Sequence, residues 1–288
     1  MNKTDLLNYL KETSYAMTQS DMDEAILLHF ELVTQSYRKK PFFYKTLLKY
    51  DRYMVALSLL SFSYEDGRVP LSKVKAFCQE RGYLSRNSLD AYFSFFFISG
   101  YMHVHLHNED GRQRIFAPTQ TALCETASML KAFLLPSQMI VPYLGRQVNA
   151  LNSEDLLRYF FRGFSKLLEA DLMLDKLMPE TMWLVNRAGG HLPMLALYTD
   201  AMRNGSLHSN QKVSSYVELS KRLSVSKTHL IRMVKEGEVK GYFKCHKHSV
   251  ELRPVFLELA RKIMSVHFSV VCISIELGMD MKADKYAC

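Results

Sequence analysis

Three alternating histidines, His103, His105 and His107, are predicted to share one face of a strand, because successive side chains of a strand point to opposite sides. Three imidazoles on one face could bind Zn²⁺ or Ni²⁺. The simpler interpretation is the polar outer face of a strand. Cys245 and His248 likewise form half of a zinc pattern that has no second half. We therefore expect no metal and no other cofactor.

Signatures of catalysis are missing from the sequence, which has no glycine-rich phosphate loop, no nucleophile elbow and no His-Glu-x-x-His motif. Its five cysteines are scattered and include no Cys-x-x-Cys pair, which is typical of a reducing cytoplasm rather than of a disulfide scaffold. No apolar run follows the first residues, so we expect no secretory signal. These features favour a cytoplasmic protein that is not an enzyme.

One pattern occurs twice in the chain. Residues 84–89 and the later Gly100-Tyr101 pair have counterparts in residues 225–230 and Gly241-Tyr242. The same offset of 141 positions separates Ser85 from Ser226 and Gly100 from Gly241. A constant offset indicates one structural unit used twice. We call residues 51–135 the first copy and residues 191–262 the second copy.

The first copy has the sequence pattern of three helices, a hairpin and a further helix. Ser85 is a natural N-cap, because its hydroxyl can accept a backbone N–H of the first helical turn. An Asp-Gly pair between two alternating segments is a strong hairpin signal. The predicted elements are helices over 53–62 and 71–81, a third helix from Ser85 toward Ser99, a hairpin around Asp110-Gly111, and a helix over 121–135.

The second copy repeats this order. Its predicted elements are helices over 195–202 and 214–223, a third helix capped by Ser226, a ribbon over 242–252, and a last helix over 255–264. Gly237 stands four residues before Gly241, where the first copy has Phe96. Because glycine weakens a helix interior, we expect the third helix to end early and the ribbon to begin within 238–244.

The rest of the chain is predicted to be helical: an N-terminal segment over 1–50, a connector over 136–190 that ends at Gly189-Gly190, and an apolar helix with a tail over 263–288. Residues 263–279 are short for a membrane span and contain His267 and Glu276, so we expect a buried or interface helix that supports a homodimer. The predicted fold is mainly α with small β-ribbons, in which two winged helix-turn-helix modules are joined by a helical connector.

Residues 217–230 resemble the helix-turn-helix of bacterial winged-helix regulators, including the MarR-like group. The residues that match the family pattern are the apolar Leu219, Leu223, Val225 and Leu230 and the small polar cap Ser226. The match is weaker in the first copy, where Cys78 and Tyr83 take corresponding positions. The resemblance implies a winged-helix fold that binds double-stranded DNA.

One face of the third helix in the second copy suits a DNA groove. With Leu230 in the core and 100° per residue, Thr228, Arg232 and Lys235 point outward. Arginine and lysine pair with guanine edges in the major groove, and hydroxyls hold phosphates. The equivalent residues of the first copy, Asn87, Ala91 and Ser94, carry no charge.

Charge distribution also favours the second copy. The chain has a formal net charge of +8 and a pI of about 9.1. Residues 211–262 alone contain twelve Lys or Arg and five Glu. We therefore expect the second copy to dominate DNA binding. The predicted DNA contacts are Ser226, Lys227, Thr228, His229, Arg232, Lys235, Lys244 and Lys247 in the second copy, and Arg86, Asn87, Arg112 and Arg114 in the first.

The leading hypothesis is a transcriptional regulator that binds double-stranded DNA sequence-specifically. Two alternatives stay open: a plasmid or replication initiator with two winged helices, and a protein-interaction scaffold that does not bind DNA. A small-molecule effector could bind beside Trp183, with Met178, Met182 and Arg187 nearby, although sixteen methionines make flexible packing the simpler explanation.

Overall fold

The structure is a computed structural model that describes residues 1–66, 69–106, 113–142, 148–203, 216–246 and 250–286. These residues are mainly helical and include two small antiparallel strand pairs, which confirms the predicted mainly α fold with small β-ribbons. The chain divides into two compact units. Unit 1 comprises Met1–Tyr50, Ala132–Pro142 and Met173–Ser269, and unit 2 comprises Asp51–Lys131, Tyr143–Leu172 and Val270–Cys288.

The elements are numbered in chain order. The helices are α1 (Lys3–Thr18), α2 (Met22–Lys39), α3 (Pro41–Leu47), α4 (Tyr50–Asp66), α5 (Leu71–Glu80), α6 (Arg86–Ile98), α7 (Gln120–Ile140), α8 (Ser153–Glu169), α9 (Leu174–Leu177), α10 (Met182–Val185), α11 (Leu192–Arg203), α12 (Tyr216–Leu223), α13 (Lys227–Val239) and α14 (Pro254–Tyr286), with a 3-10 turn at Pro179–Thr181. The strands are β1 (Met102–Leu106), β2 (Arg114–Pro118), β3 (Phe243–Cys245) and β4 (Val250–Leu252).

Unit 2 contains most of the first copy, from α4 through β2 into α7. Ser85 occupies the N-cap position of α6 as predicted, but its hydroxyl does not accept a backbone N–H and instead donates to Ser88 Oγ at 3.0 Å. The buried face of α6 is apolar and aromatic, and it comprises Leu89, Tyr92, Phe93 and Phe96. Strands β1 and β2 pair antiparallel, with Met102 opposite Pro118 and Leu106 opposite Arg114. The predicted turn at 110–111 lies outside the described residues.

Two glycines bring α8 and α14 into backbone contact within unit 2. A Cβ added at Gly163 would lie 1.8 Å from the carbonyl oxygen of Ser274. A Cβ added at Gly278 would lie 1.9 Å from the carbonyl oxygen of Tyr159. Both distances are far below van der Waals contact, so only glycine permits this close crossing of the two helices.

Unit 1 contains the second copy, packed with α1, α2 and the first part of α14. Arg261 and Arg222 form two of its ion pairs. Arg261 binds both carboxylate oxygens of Asp23, at 2.9 and 2.8 Å. Arg222 donates to Asp200 at 2.8 Å and to the carbonyl oxygen of Ala196 at 3.1 Å. These two cations therefore hold the unit together rather than facing solvent.

Three histidines from distant parts of the sequence meet in the core of unit 1. His29 Nδ1 lies 2.8 Å from the carbonyl oxygen of Ala132, so that nitrogen must donate. His29 Nε2 is then the acceptor for the Nε2–H of His191, 2.9 Å away. The ring of His267 lies 5.7 Å from that of His191. Burial lowers the pKa of His29 to about 3 and that of His267 to about 4. For His191, burial and the two neighbouring imidazoles lower the pKa well below its ordinary value.

The last helix differs from its prediction. A helix over 255–264 and a separate apolar helix from residue 263 were expected, whereas α14 is one helix from Pro254 to Tyr286. Within the described part of the chain, this is the one helix long and apolar enough to cross a membrane, and 72 % of its apolar window is buried in the structure. That burial agrees with the predicted buried helix and is consistent with a soluble protein.

Candidate nucleic-acid interface

The turn between α12 and α13 is short and internally bonded. Ser226 Oγ accepts the backbone N–H of His229 at 3.2 Å and so caps α13 as predicted. Ser224 has a positive φ of 50°, which lets the chain reverse within three residues. Ser220 Oγ donates to the carbonyl oxygen of Val225 at 2.8 Å. These contacts fix the angle at which α13 leaves α12.

Helix α13 has one buried face and one exposed face. Leu230, Met233 and Val234 are each 1 % exposed or less. Thr228, Arg232 and Lys235 are exposed, as the sequence predicted. At 100° per residue these three lie within an arc of about 60°, so they form a single polar strip along the helix.

Gly237 does not end α13, which continues to Val239, so the predicted early end of the helix is wrong. A Cβ at Gly237 would lie 2.3 Å from the ring of Phe243 and 3.1 Å from that of Trp183. The ring of Phe243 therefore occupies the space beside the glycine. In the first copy the equivalent residues are Phe96 and Met102, both buried. The large aromatic side chain therefore stands on the third helix in the first copy, as Phe96, and on the first strand in the second copy, as Phe243.

Trp183 and Arg187 attach α13 to the connector within unit 1. The Trp183 ring stacks on Tyr242 with centroids 5.8 Å apart, and the Lys240 ammonium lies 5.7 Å from the Trp183 ring centre. Arg187 donates to the Trp183 carbonyl oxygen and forms an ion pair with Glu236 of α13. Trp183 and Arg187, two of the residues predicted to border an effector site, thus pack against α13.

His229 is placed differently from its exposed neighbours. It is half-buried, and burial, followed by the charges of Arg187, Lys45 and Arg232, lowers its pKa. Its Nε2 is buried and has no hydrogen-bond partner among the described residues. A neutral imidazole held among three cations is a poor phosphate ligand, so His229 is the weakest of the predicted contacts on α13.

The strand pair β3–β4 lies directly after α13. Phe243 pairs with Leu252 and Cys245 with Val250. The exposed Lys244 lies on β3. The backbone N–H of the next residue, Cys245, donates to the side-chain Oε1 of Glu238 at 2.6 Å. The predicted contact Lys247 and the metal candidate His248 lie outside the described residues.

The first copy exposes a different surface. Arg86 and Asn87 are exposed at the start of α6, and Arg114 is exposed on β2. Further along α6, Phe97 is 54 % exposed and Ile98 is 82 % exposed. The predicted contact Arg112 and the metal candidate His107 lie outside the described residues. His103 and His105 are exposed, and among the residues that the structure describes no group of three metal-ligating side chains is found.

Three exposed cations near α13 were not among the predicted contacts, and one of them is Lys240, directly after the helix. Lys221 is exposed on α12. Arg253 is exposed immediately after β4, its N–H donates to the carbonyl oxygen of Tyr242 at 3.0 Å, and its guanidinium is 3.9 Å from the Cβ position of Gly241. The sequence signal that could have identified Arg253 was its position directly after the second strand of the predicted ribbon.

The candidate interface therefore consists of a polar strip on α13, flanked by exposed cations and anchored to a packed unit. Its exposed cations are Lys221, Lys227, Arg232, Lys235, Lys240, Lys244 and Arg253. Comparison with protein-family models, with curated proteins and with solved structures finds no match to this chain.

Proposed function

We propose that the chain is a transcriptional regulator that binds double-stranded DNA sequence-specifically through tandem winged helices, with α13 as its base-contacting helix. The observation that carries the proposal is the exposed strip of Thr228, Arg232 and Lys235 on a helix whose opposite face is buried. An exposed, cationic helix that follows a capped turn is the arrangement used for major-groove recognition.

The strip is long enough to span about three base-pair steps of about 3.4 Å each. Thr228 and Lys235 are seven residues apart, which at 1.5 Å per residue is about 10 Å along the helix axis. The major groove of B-form DNA is about 12 Å wide and admits one α-helix. Arg232, in the middle of the strip, would then pair with the O6 and N7 atoms of a guanine. Lys227, at the helix N-terminus, would contact a phosphate, because the backbone N–H groups there also favour an anion.

Phosphate contacts would come from both sides of α13. Lys221 precedes the helix, and Lys244 and Arg253 belong to the ribbon that follows it. Phosphate contacts fix the orientation of a protein on the duplex without selecting a sequence. In this proposal the ribbon therefore contributes affinity that falls with salt, whereas Arg232 and Lys235 contribute the choice of site.

The first copy has a smaller role in this proposal. Arg86, Asn87 and Arg114 are accessible, but Ala91 and Ser94 replace the two cations of the strip. Fewer phosphate-neutralising cations mean a weaker electrostatic contribution. The exposed Phe97 and Ile98 favour a protein contact at this end of α6, which keeps an interaction role for the first copy as a second candidate.

The decisive experiment is selection of genomic DNA fragments by the full chain at about 50 and 200 mM salt. The test variant is Arg232→Ala/Lys235→Ala. Its matched control is Lys3→Ala/Lys11→Ala, which removes two exposed lysines of α1. We expect salt-sensitive binding by the wild type and the control and its loss in the test variant. Enriched promoters support a regulator, whereas enriched repeated origin sites would indicate an initiator.

Absence of binding by any of these proteins would refute the proposal and favour the interaction scaffold. A cytoplasmic location, like the absence of enzymatic activity, belongs to the same proposal. The homodimer expected through the C-terminal segment stays a prediction, and sedimentation of the full chain at several concentrations tests it.

A further inference from the structure

A groove of about 620 Å³ lies within unit 2, away from the proposed base-contacting helix. It is bordered by α4, by the end of β2 with the first half of α7, and by the start of α8. Its volume falls within the range of about 300–1,000 Å³ in which proteins bind small molecules. Elements on three sides give it the concave form that such sites require.

Apolar atoms form most of the lining surface, although the lining side chains are divided about evenly between apolar and polar. Tyr64 is held in place because its ring stacks on Phe161, with centroids 5.1 Å apart and planes inclined by 12°. Leu123, Ala127 and Leu157 continue the apolar surface on α7 and α8. A fixed aromatic ring beside aliphatic groups favours a flat, apolar ligand body.

Two charged side chains of opposite sign border the groove. Lys131 of α7 and Glu154 of α8 both line it. Glu154 already accepts a hydrogen bond from Arg158 at 2.8 Å. No ion pair is found for Lys131 within the described residues, and its side chain is exposed. The lining therefore presents one cation that forms no ion pair within the described residues, next to the exposed hydroxyls of Ser128 and Ser153.

We propose that this groove binds a small organic anion with a flat apolar body, which packs beside Tyr64 and directs its carboxylate or similar group to Lys131. The geometry and charge of unit 2 alone support this site. It stands whether or not the chain binds DNA, and the test below contains no DNA.

The probes are 2-naphthoate and its uncharged analogue 2-naphthamide, titrated into the full chain by calorimetry. We expect saturable binding of naphthoate, about fivefold tighter than naphthamide, because one exposed ion pair contributes at most about 1 kcal/mol. Lys131→Gln should make the two affinities equal. Lys73→Gln, an exposed lysine of α5 outside the groove, should leave the preference unchanged.

The location is tested separately by Ser128→Trp, which fills the groove from an exposed position of α7. This variant should retain its helical circular dichroism and lose binding of both compounds. Cys124 also lines the groove and is exposed. Naphthoate should therefore slow its alkylation by N-ethylmaleimide, followed by peptide mass mapping, and leave Cys245 unaffected. Equal affinity of the wild type for both compounds, no saturable binding, or unchanged binding by the folded Ser128→Trp variant would each overturn the proposal.

Discussion

The two copies of the repeat share a backbone frame and differ in what they expose. Helices α6 and α13 begin at equivalent positions, Arg86 and Lys227, and end at equivalent positions, Ile98 and Val239. Each is followed by a glycine with positive φ, Gly100 at 73° and Gly241 at 83°. The second ribbon is shorter than the first. The start of β3 lies 141 residues after the start of β1, whereas the start of α14 lies only 134 residues after the start of α7.

The charges of the exposed residues differ between the two copies, although the backbone frame is shared. Residues 51–135 contain nine Lys or Arg and eight Asp or Glu, whereas residues 211–262 contain twelve and five. The caps, the positive-φ glycines and the buried apolar positions are enough to specify helix, turn, helix and ribbon. The outward side chains of the third helix can therefore change from cationic to uncharged without a change of fold.

The largest expected difference is in acid stability, because the three buried histidines belong to unit 1. Their pKa values are lowered in the folded state and return to about 6.5 on unfolding. Above about pH 6.5 both states are neutral at these sites, so stability is full. As the pH falls from about 6.5 toward about 4, the unfolded chain binds protons at these histidines and the folded chain does not. Each histidine then lowers the free energy of unfolding by up to about 1.4 kcal/mol per pH unit.

Urea unfolding followed by the fluorescence of Trp183, the single tryptophan, measures this effect in unit 1 at about pH 7.5, 6 and 5. His267→Phe should flatten the pH dependence, since it removes one of the three groups. An unchanged midpoint between the highest and lowest of these pH values would contradict the assignment of neutral, buried imidazoles.

A second contrast concerns one ion pair in each copy. Arg222→Met leaves Asp200, which is 7 % exposed as a side chain, without its cation, and we expect a loss of about 3 kcal/mol in unfolding free energy. Lys75→Met breaks a pair with Asp90, which is 54 % exposed, and we expect less than about 1 kcal/mol. Thermal unfolding by circular dichroism compares them. Equal losses would mean that burial does not decide the strength of these pairs.

The third contrast tests the ranking of the copies in DNA binding. Arg232→Ala should weaken binding to a selected site by about 1–3 kcal/mol, or roughly fivefold to 150-fold, if the guanidinium contacts a base. Arg86→Ala should weaken it by less than about fivefold, since one exposed phosphate contact contributes under about 1 kcal/mol. Fluorescence anisotropy with a labelled duplex measures both. Equal losses would overturn the ranking.

An effect no larger than that of Arg232→Ala is expected from the exchanged core pair. Gly237→Phe should cost about 1–3 kcal/mol, because the ring of Phe243 fills the space that a new side chain would need. Adding Phe243→Met recreates the pair found in the first copy and should recover part of that loss. Val239→Phe, at a position that is 89 % exposed, serves as the control and should change stability by less than about 0.5 kcal/mol. Additive losses in the double variant would show that the two positions do not compensate.

Local features were predictable from the sequence. Ser85 and Ser226 take the two N-cap positions, and both third helices begin directly after them, although only Ser226 makes the capping hydrogen bond. The 3.6-residue period placed Thr228, Arg232 and Lys235 on the exposed face correctly. Each of these predictions depends on residues within one or two turns of each other, so neighbours in sequence carry the necessary information.

Features that depend on distant residues were missed. The end of α13 was predicted wrongly because two rings from elsewhere in the sequence pack beside Gly237. One belongs to Phe243 of the next strand and the other to Trp183. The contact between His29 and His191 joins residues 162 positions apart, and no local pattern predicts it. The groove beside Lys131 requires three elements to be placed before it exists. The single long helix α14 was divided in two because its amphipathic start and apolar middle were interpreted separately.

The reciprocal glycine contact of α8 and α14 sets a limit on how this protein can evolve. Gly163 and Gly278 each face the main chain of the other helix, and a main chain cannot adjust its size as a side chain can. A single step to alanine at either position would push the helices apart, and no change of neighbouring side chain could restore the fit. Among sequences that share this fold, we expect glycine to be retained at both positions even where every surrounding residue varies.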